Sequence, residues 1–284
     1  MNFKAHSYLS ILAAGIFCAA SATAQTESSV QSSARPFGLS IVDTVQLAGS
    51  DAASDDFQAN ALPGINQLIN SRLGESVSIA NASAYSLDPA KLTMATAGTA
   101  RVYFAGEGAG YRNTLGFNTV TDSLNLDRRG LTSTSKLIFP DVTSSVSMLG
   151  SNSNPTRSAS LPLLPGDFVD LGHLDAGSTL DFFLIANGAN GGTNVYAQPK
   201  DRNPDKFDHL VAFALPNSPY LLLGFEDLFG GGDKDYNDAM FVVDIGYENI
   251  QKLISAPEPG TWLTLAGFMG IVAARRRRNA TTIA

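Results

Sequence analysis

The chain of 284 residues is poor in the side chains that most often carry chemistry. It has one cysteine, Cys18, and three histidines, and its one tryptophan, Trp262, lies near the C-terminus. From residue 25 onward there is no thiol, which excludes disulfides, thiol nucleophiles and cysteine-ligated metals there. The sequence also lacks the Gly-x-Ser-x-Gly, His-Glu-x-x-His and phosphate-cradling glycine motifs. We therefore predict that the protein is not an enzyme.

Basic residues are also scarce in the main body of the chain. Residues 25–256 contain 14 basic and 25 acidic side chains. Such a surface repels nucleic acids and other polyanions. We therefore expect no nucleic-acid partner, and any electrostatic partner should be a cation or a basic surface.

The N-terminus has the pattern of a secretion signal, predicted over residues 1–24. Lys4 precedes an apolar run that is too short to span a membrane, and Ala22 and Ala24 are small residues at the two positions read by a signal peptidase. Cleavage is expected before Gln25. The alternative of lipid attachment at Cys18 is disfavoured because Phe17 stands where a lipoprotein signal needs a small residue.

The C-terminus combines three elements over residues 257–284. Pro257, Glu258 and Pro259 precede an uncharged stretch, residues 260–274, and a basic cluster follows it. Fifteen helical residues reach about 22 Å, short of the roughly 30 Å hydrocarbon core, so this predicted transmembrane helix is a marginal anchor. The positive-inside rule keeps the basic cluster cytoplasmic and the preceding chain outside. The cluster consists of Arg275, Arg276, Arg277 and Arg278.

This C-terminal constellation resembles the PEP-CTERM sorting signal. The resemblance implies an exosortase as partner, transient anchoring in the inner membrane and cleavage near Pro257 to Pro259. It also implies a protein that is secreted, or attached to the cell surface, in a Gram-negative-type bacterium that makes an exopolysaccharide matrix. A plain C-terminal anchor is the alternative.

Between the two ends the sequence predicts a mostly β protein. Residues 25–96 read as a leader and the N-terminal part of the domain, residues 97–246 as its main part, and residues 247–256 as a linker. Apolar spacing predicts one short helix over 61–73. Short β-branched and aromatic runs between turn formers predict an antiparallel β-sandwich of jelly-roll or immunoglobulin-like type. The predicted strands are 39–47, 100–105, 136–139, 168–174, 180–186, 209–215, 220–225 and 239–245.

The last predicted strand indicates how the sheet is covered. Its residues alternate between two sets. One set is Ala239, Phe241, Val243 and Ile245, and the other begins with Asp238 and ends with Asp244. We therefore expect one face of this strand in the core and the other in contact with water.

Residues 221–238 are the most distinctive segment, with the sequence LLLGFEDLFGGGDKDYND. Six oxygen-bearing side chains fall within thirteen residues around three glycines, which let the backbone fold back. Carboxylates at such density repel one another unless a cation binds, and Ca²⁺ tolerates irregular oxygen ligands. A solvated, turn-rich loop is the alternative. The predicted metal ligands are Glu226, Asp227, Asp233, Asp235, Asn237 and Asp238.

The alternation Asp233, Asp235, Asn237 matches the opening of an EF-hand calcium loop. The remainder of that pattern fails, because Asp238 stands where the loop needs glycine and a strand follows. A weaker alternation, Asp201, Asn203, Asp205, occurs upstream.

The segment 224–238 resembles the hallmark of the family called domain of unknown function 4114. Residues 108–116 and 181–188 resemble segments that accompany it, so the likeness spans about 97–246. The resemblance implies an exported, β-rich, calcium-binding module and no particular reaction.

Three functional interpretations follow from these patterns. The first is a calcium-stabilised protein of the cell surface or extracellular matrix. The second is an adhesion or carbohydrate-binding module that binds exopolysaccharide and uses Tyr85, Tyr111 or Tyr196 for stacking. The third is a glycoside hydrolase with Glu226 as acid and Asp233 or Asp235 as its partner. His173 and His209 are expected to be ordinary strand or turn residues.

Overall fold

A computed structural model describes residues 30–75, 87–118, 130–149, 155–215 and 217–255. This part of the chain is mostly β and contains two antiparallel sheets. Strand order is β4-β1-β9-β8-β7 in the larger sheet and β3-β2-β5-β6 in the smaller. The strands are β1 Gly98–Gly106, β2 Thr114–Asn118, β3 Ser135–Phe139, β4 Phe168–Leu174, β5 Asp181–Ile185, β6 Val195–Ala197, β7 Leu210–Ala214, β8 Tyr220–Phe225 and β9 Ala239–Asp244.

Seven of these strands were predicted from the sequence. The expected strand over 39–47 is wrong: this segment makes only single bridges, Ile41 with Leu137 and Gln46 with Phe168. Two strands were missed. In β2 the apolar run is interrupted by Gly116 and bounded by polar residues, and β6 has only three residues.

Gly116 is required where β2 pairs with β5. It lies opposite Phe183, and a Cβ at this position would come within 2.1 Å of the Phe183 ring. The absent side chain gives the ring room to cross the neighbouring strand. Gly116 also weakened the sequence pattern that predicts a strand, because glycine has no side chain to pack.

One apolar core draws on both sheets. Phe241 of β9 contacts Phe182 of β5, with ring centroids 5.1 Å apart and the rings nearly perpendicular. Phe104 of β1 meets Phe139 of β3 in a similar edge-to-face contact at 6.1 Å. Each fully buried ring contributes roughly 1.5–3 kcal/mol through burial. The two sheets are therefore packed against each other by aromatic pairs.

The outer face of the larger sheet is covered by a helix. It runs through α1 (Ala52–Asp56), a π-helical segment (Phe57–Ala61) and α2 (Leu62–Arg72), so it begins nine residues before the predicted 61–73. The side chain of Asp51 caps its start by accepting a hydrogen bond from Ser54 N at 2.8 Å. Phe57 stacks on Tyr103 of β1 at 3.8 Å.

This helix corrects the expectation for the second face of β9. Met240 and Val242 are buried beneath it, in a cluster with Ile65, Ile69 and Leu73. The face predicted to be wetter is therefore a second apolar layer. An amphipathic helix needs an apolar partner surface, and the alternation within one strand cannot show which helix covers it.

A further helix, α3 (Tyr247–Ser255), lies where the sequence predicts a linker over 247–256. Ile250 of α3 is fully buried in the core between the sheets. Asn249 Nδ2 donates to Ile245 O at 2.8 Å and secures the first turn of α3 to the end of β9. The helix is therefore part of the packed body of the protein.

Both predicted targeting segments lie outside the described residues. These are the signal peptide over 1–24, with Ala22 and Ala24, and the sorting signal over 257–284, with its helix over 260–274. Among the helices that the structure describes, none has the length and apolar character needed to cross a membrane. The predicted sorting residues concerned are Pro257, Glu258, Pro259, Arg275, Arg276, Arg277 and Arg278.

Candidate metal centre

The acidic segment forms the connection between the neighbouring strands β8 and β9. Glu226 Oε1 accepts a hydrogen bond from Tyr236 N at 2.8 Å, so the loop closes on the first residue after β8. Gly224 permits this closure, because a Cβ there would lie 2.2 Å from Tyr236 O. Tyr236 itself has a φ of 57°, a left-handed conformation that the surrounding bonds hold in place.

Three carboxylates from two distant parts of the sequence converge at this loop. Oxygen atoms of Glu75, Asp233 and Asp235 all lie within 4.8 Å of one another. Ligands of one Ca²⁺ ion sit roughly 2.3–2.6 Å from it, so two of them can be at most about 5 Å apart. The spacing therefore fits a single calcium ion. An all-oxygen set also matches a hard cation rather than zinc or copper.

The side chain of Asn237 donates hydrogen bonds to two members of this group. Its Nδ2 donates to Asp235 Oδ2 at 2.8 Å and to Glu75 Oε2 at 3.4 Å. The amide thus turns its nitrogen toward the carboxylates. To act as the oxygen ligand predicted from sequence, the amide would have to rotate.

The other predicted ligands form an inner group. Glu226, Asp227 and Asp238 do not belong to the set within 4.8 Å. Asp238 Oδ2 accepts from Asp227 N at 2.8 Å, and Asp227 Oδ2 accepts from Asn113 Nδ2 at 2.6 Å. The structure therefore divides the six predicted ligands: Asp233, Asp235 and Asn237 lie near Glu75, and the remaining three form a separate group.

Glu226 is fully buried, and its Oε2 has no hydrogen-bond partner among the described residues. Burial raises the pKa of Glu226 to about 8, and repulsion from Asp235 and Asp233 adds to the shift. A buried carboxylate oxygen without a partner is costly unless it holds a proton or a cation. The oxygen lies beneath Gly232, since a Cβ there would be 3.0 Å away.

Burial also raises the pKa values of Asp227 and Asp238, that of Asp238 to about 8. For Asp238 the charge of Asp227 is the next cause, whereas the bond from Asn113 opposes the rise for Asp227. The inner group therefore retains protons at a pH where exposed carboxyls are ionised. The burial of Glu226 also argues against its predicted role as a glycosidase acid, which requires contact with a polysaccharide.

A buried histidine supports the loop from the other side. His209 Nε2 faces Asp205 Oδ2 at 2.9 Å, and its Nδ1 faces Glu226 O at 2.9 Å. Burial raises the pKa of Asp205, but bonds from Gly230 N and His209 outweigh it, so that pKa is lowered overall. Both ring nitrogens thus face oxygen atoms, one of a side chain and one of the backbone.

The upstream alternation serves the fold instead of converging on an ion. Asn203 Oδ1 accepts from Ala197 N at 2.7 Å and its Nδ2 donates to Phe207 O at 2.9 Å. Asp205 binds His209 and Gly230, while Asp201 is exposed.

The three predicted stacking tyrosines differ in their accessibility. Tyr111 is 42% exposed. Tyr196 is buried and stacks on His209 at 3.7 Å, so it packs in the interior, the alternative to stacking on a sugar. Tyr85 lies outside the described residues.

Sequence reasoning also overlooked Glu75 and Phe229, which is 70% exposed in the acidic loop. Phe229 stands directly before three glycines, and a large aromatic ring at such a turn could have drawn attention to it. Nothing in the sequence singled out Glu75.

Comparison with known proteins supports part of the resemblance noted above. No curated protein and no solved structure matches the chain. One family profile does match, over residues 174–246, which includes the acidic loop but not residues 108–116. Residues 174–246 are thus similar to the family described as Domain of unknown function (DUF4114).

Proposed function

We propose that this chain is an exported protein of the bacterial cell surface or extracellular matrix, with a β-sandwich of jelly-roll or immunoglobulin-like type that Ca²⁺ stabilises. The convergence of Glu75 with Asp233 and Asp235 is the observation that carries the calcium proposal. The buried Oε2 of Glu226 in the same loop has no hydrogen-bond partner among the described residues, and such an oxygen needs a proton or a cation.

The ion would act as a link between two layers. Glu75 follows the helix that covers the larger sheet, and Asp233 and Asp235 belong to the connection between two of its strands. Binding at this point would fasten the end of the helix to the sheet. Glu75 and Asp233 are exposed, which suits a weak site of the kind that extracellular modules saturate at sub-millimolar to millimolar calcium.

Calcium titration calorimetry on the purified chain tests this directly. We expect one calcium ion per chain for the wild type, and at least about tenfold weaker binding for Asp235→Asn. Asp175→Asn is the matched control, because it removes one carboxylate whose side chain is 91% exposed. Absence of calcium binding by the wild type, or equal loss in the control, would refute the proposal.

Export and sorting rest on the sequence of the two ends. Mass spectrometry of the mature protein tests both. We expect an N-terminus at Gln25 and loss of the chain beyond Pro257 to Pro259. A mature protein that retains Arg275 to Arg278 would contradict processing by an exosortase.

A further inference from the structure

The acidic loop presents an exposed aromatic ring at a tight turn. Gly231 N donates to Leu228 O at 2.9 Å, and Gly230, at the third position of this turn, has a φ of 77°. Phe229 occupies the second position, where turns usually place proline or a polar residue. Its ring is 70% exposed and Leu228 is 45% exposed.

The turn has a fixed position. Gly230 N donates to Asp205 Oδ2 at 2.7 Å, and the same carboxylate is held by the buried ring of His209. Gly231 lies against the Phe207 ring, since a Cβ there would come within 2.1 Å of it. Phe229 is therefore displayed on a fixed backbone, and a ligand that covers it has little ordering cost to overcome.

The turn precedes the candidate calcium ligand Asp233 closely in the chain. The Leu228 side chain packs on Gly232, where a Cβ would be 3.4 Å from Leu228 Cδ1, and Asp233 is the next residue. Calcium takes about six to eight oxygens, more than Glu75, Asp233 and Asp235 supply if each offers one. Because Glu75 and Asp233 are exposed, a ligand from solution could reach an ion held there.

We propose that the calcium ion and the Phe229 turn together form a binding site for a saccharide. This inference rests on the proposed calcium site. Two neighbouring hydroxyls of a sugar would coordinate the outer side of the ion, and the C–H face of the same or the adjoining sugar would pack on the Phe229 ring.

The size and charge of this surface favour a saccharide over a macromolecular partner. A stable protein interface buries about 1,000 Å² or more, whereas the loop offers only Leu228 and Phe229 as exposed large apolar side chains. An anionic membrane would be repelled by the acidic loop wherever the ion does not neutralise it. One exposed ring and one cation are few enough contacts for a ligand of one or two sugar units.

Affinity chromatography of the purified full-length chain tests this proposal. Columns of immobilised mannan, dextran and galactan are run with calcium in excess and again with EGTA. We expect calcium-dependent retention of the wild type on at least one polysaccharide. Phe229→Ala should weaken retention at least about tenfold while its calcium affinity stays unchanged. Tyr247→Ala is the matched control, because Tyr247 is 50% exposed and follows the far end of β9.

The outcomes separate the two proposals. A wild type that binds calcium but none of the polysaccharides would overturn the saccharide site and leave the calcium site intact. Retention that persists in EGTA, or that Phe229→Ala leaves unchanged, would also overturn it. Phe229-dependent binding to phosphatidylglycerol vesicles without polysaccharide binding would assign the turn to a membrane instead. A wild type that binds no calcium would refute the calcium site itself.

Discussion

Neutralising Glu75 should stabilise the protein in the absence of calcium and reduce the stabilisation that calcium provides. Glu75 has oxygen atoms within 4.8 Å of those of Asp233 and Asp235. At this distance each like-charge pair costs about 0.9 kcal/mol even at the dielectric constant of water. Glu75→Gln removes two such pairs and should stabilise the calcium-free chain by about 1–2 kcal/mol at low salt.

Calcium should remove most of this difference between the variant and the wild type. At one hundred times its Kd, the ion stabilises the wild type by about 2.7 kcal/mol, which raises the Tm by roughly 5–10 °C for a chain of this size. Loss of one carboxylate ligand should weaken binding about tenfold, a loss of about 1.4 kcal/mol of that stabilisation at the same calcium concentration. The Glu75→Gln variant should therefore melt higher than the wild type in EGTA and gain less from calcium.

Differential scanning calorimetry at low ionic strength, in EGTA and in calcium, measures both effects. Asp175→Asn again serves as the control for simple loss of surface charge, and it should leave the calcium-induced shift unchanged. If Glu75→Gln melts below the wild type in EGTA, the repulsion is not present. If it gains as much from calcium as the wild type, Glu75 is not a ligand, and the role assigned to the helix end is wrong.

Three further predictions concern the groups that support the site. Burial raises the pKa values of Glu226 and Asp238 to about 8, so between their unfolded values near 4 and pH 8 the folded chain holds more protons than the unfolded one. The calcium-free Tm should therefore fall as the pH rises through this window; a Tm that rises from about pH 5 to about pH 8 would contradict the burial of these protons. His209→Gln removes the buried ring that hydrogen-bonds to Asp205 and Glu226 O and should lower the free energy of unfolding by about 1–3 kcal/mol in urea titration, whereas an unchanged urea midpoint would show that these contacts are dispensable. Gly116→Ala drives a methyl group into the ring on the adjacent strand and should cost about 1–3 kcal/mol or more by the same assay; an unchanged urea midpoint would rule out that close contact.

Local sequence was sufficient for features that depend on period and composition. Seven strands follow from their apolar and β-branched runs, because side chains that alternate between two faces leave their mark on consecutive residues. The helix over α2 follows from the spacing of Leu62, Ile65 and Ile69 for the same reason. The acidic loop was visible because its carboxylates are adjacent in sequence, and the absence of thiols needed no structure.

Packing decided the rest. The second face of β9 is buried because the helix lies across it, and the alternation within a strand carries no information about a distant covering element. Loop closure divided the six acidic-loop residues: the bond from Tyr236 N to Glu226 draws Glu226 inward and leaves Asp233 outside. Glu75 joined the candidate site for a similar reason. It is separated from Asp233 by more than 150 residues, and only the docking of the helix on the sheet brings the two carboxylates together.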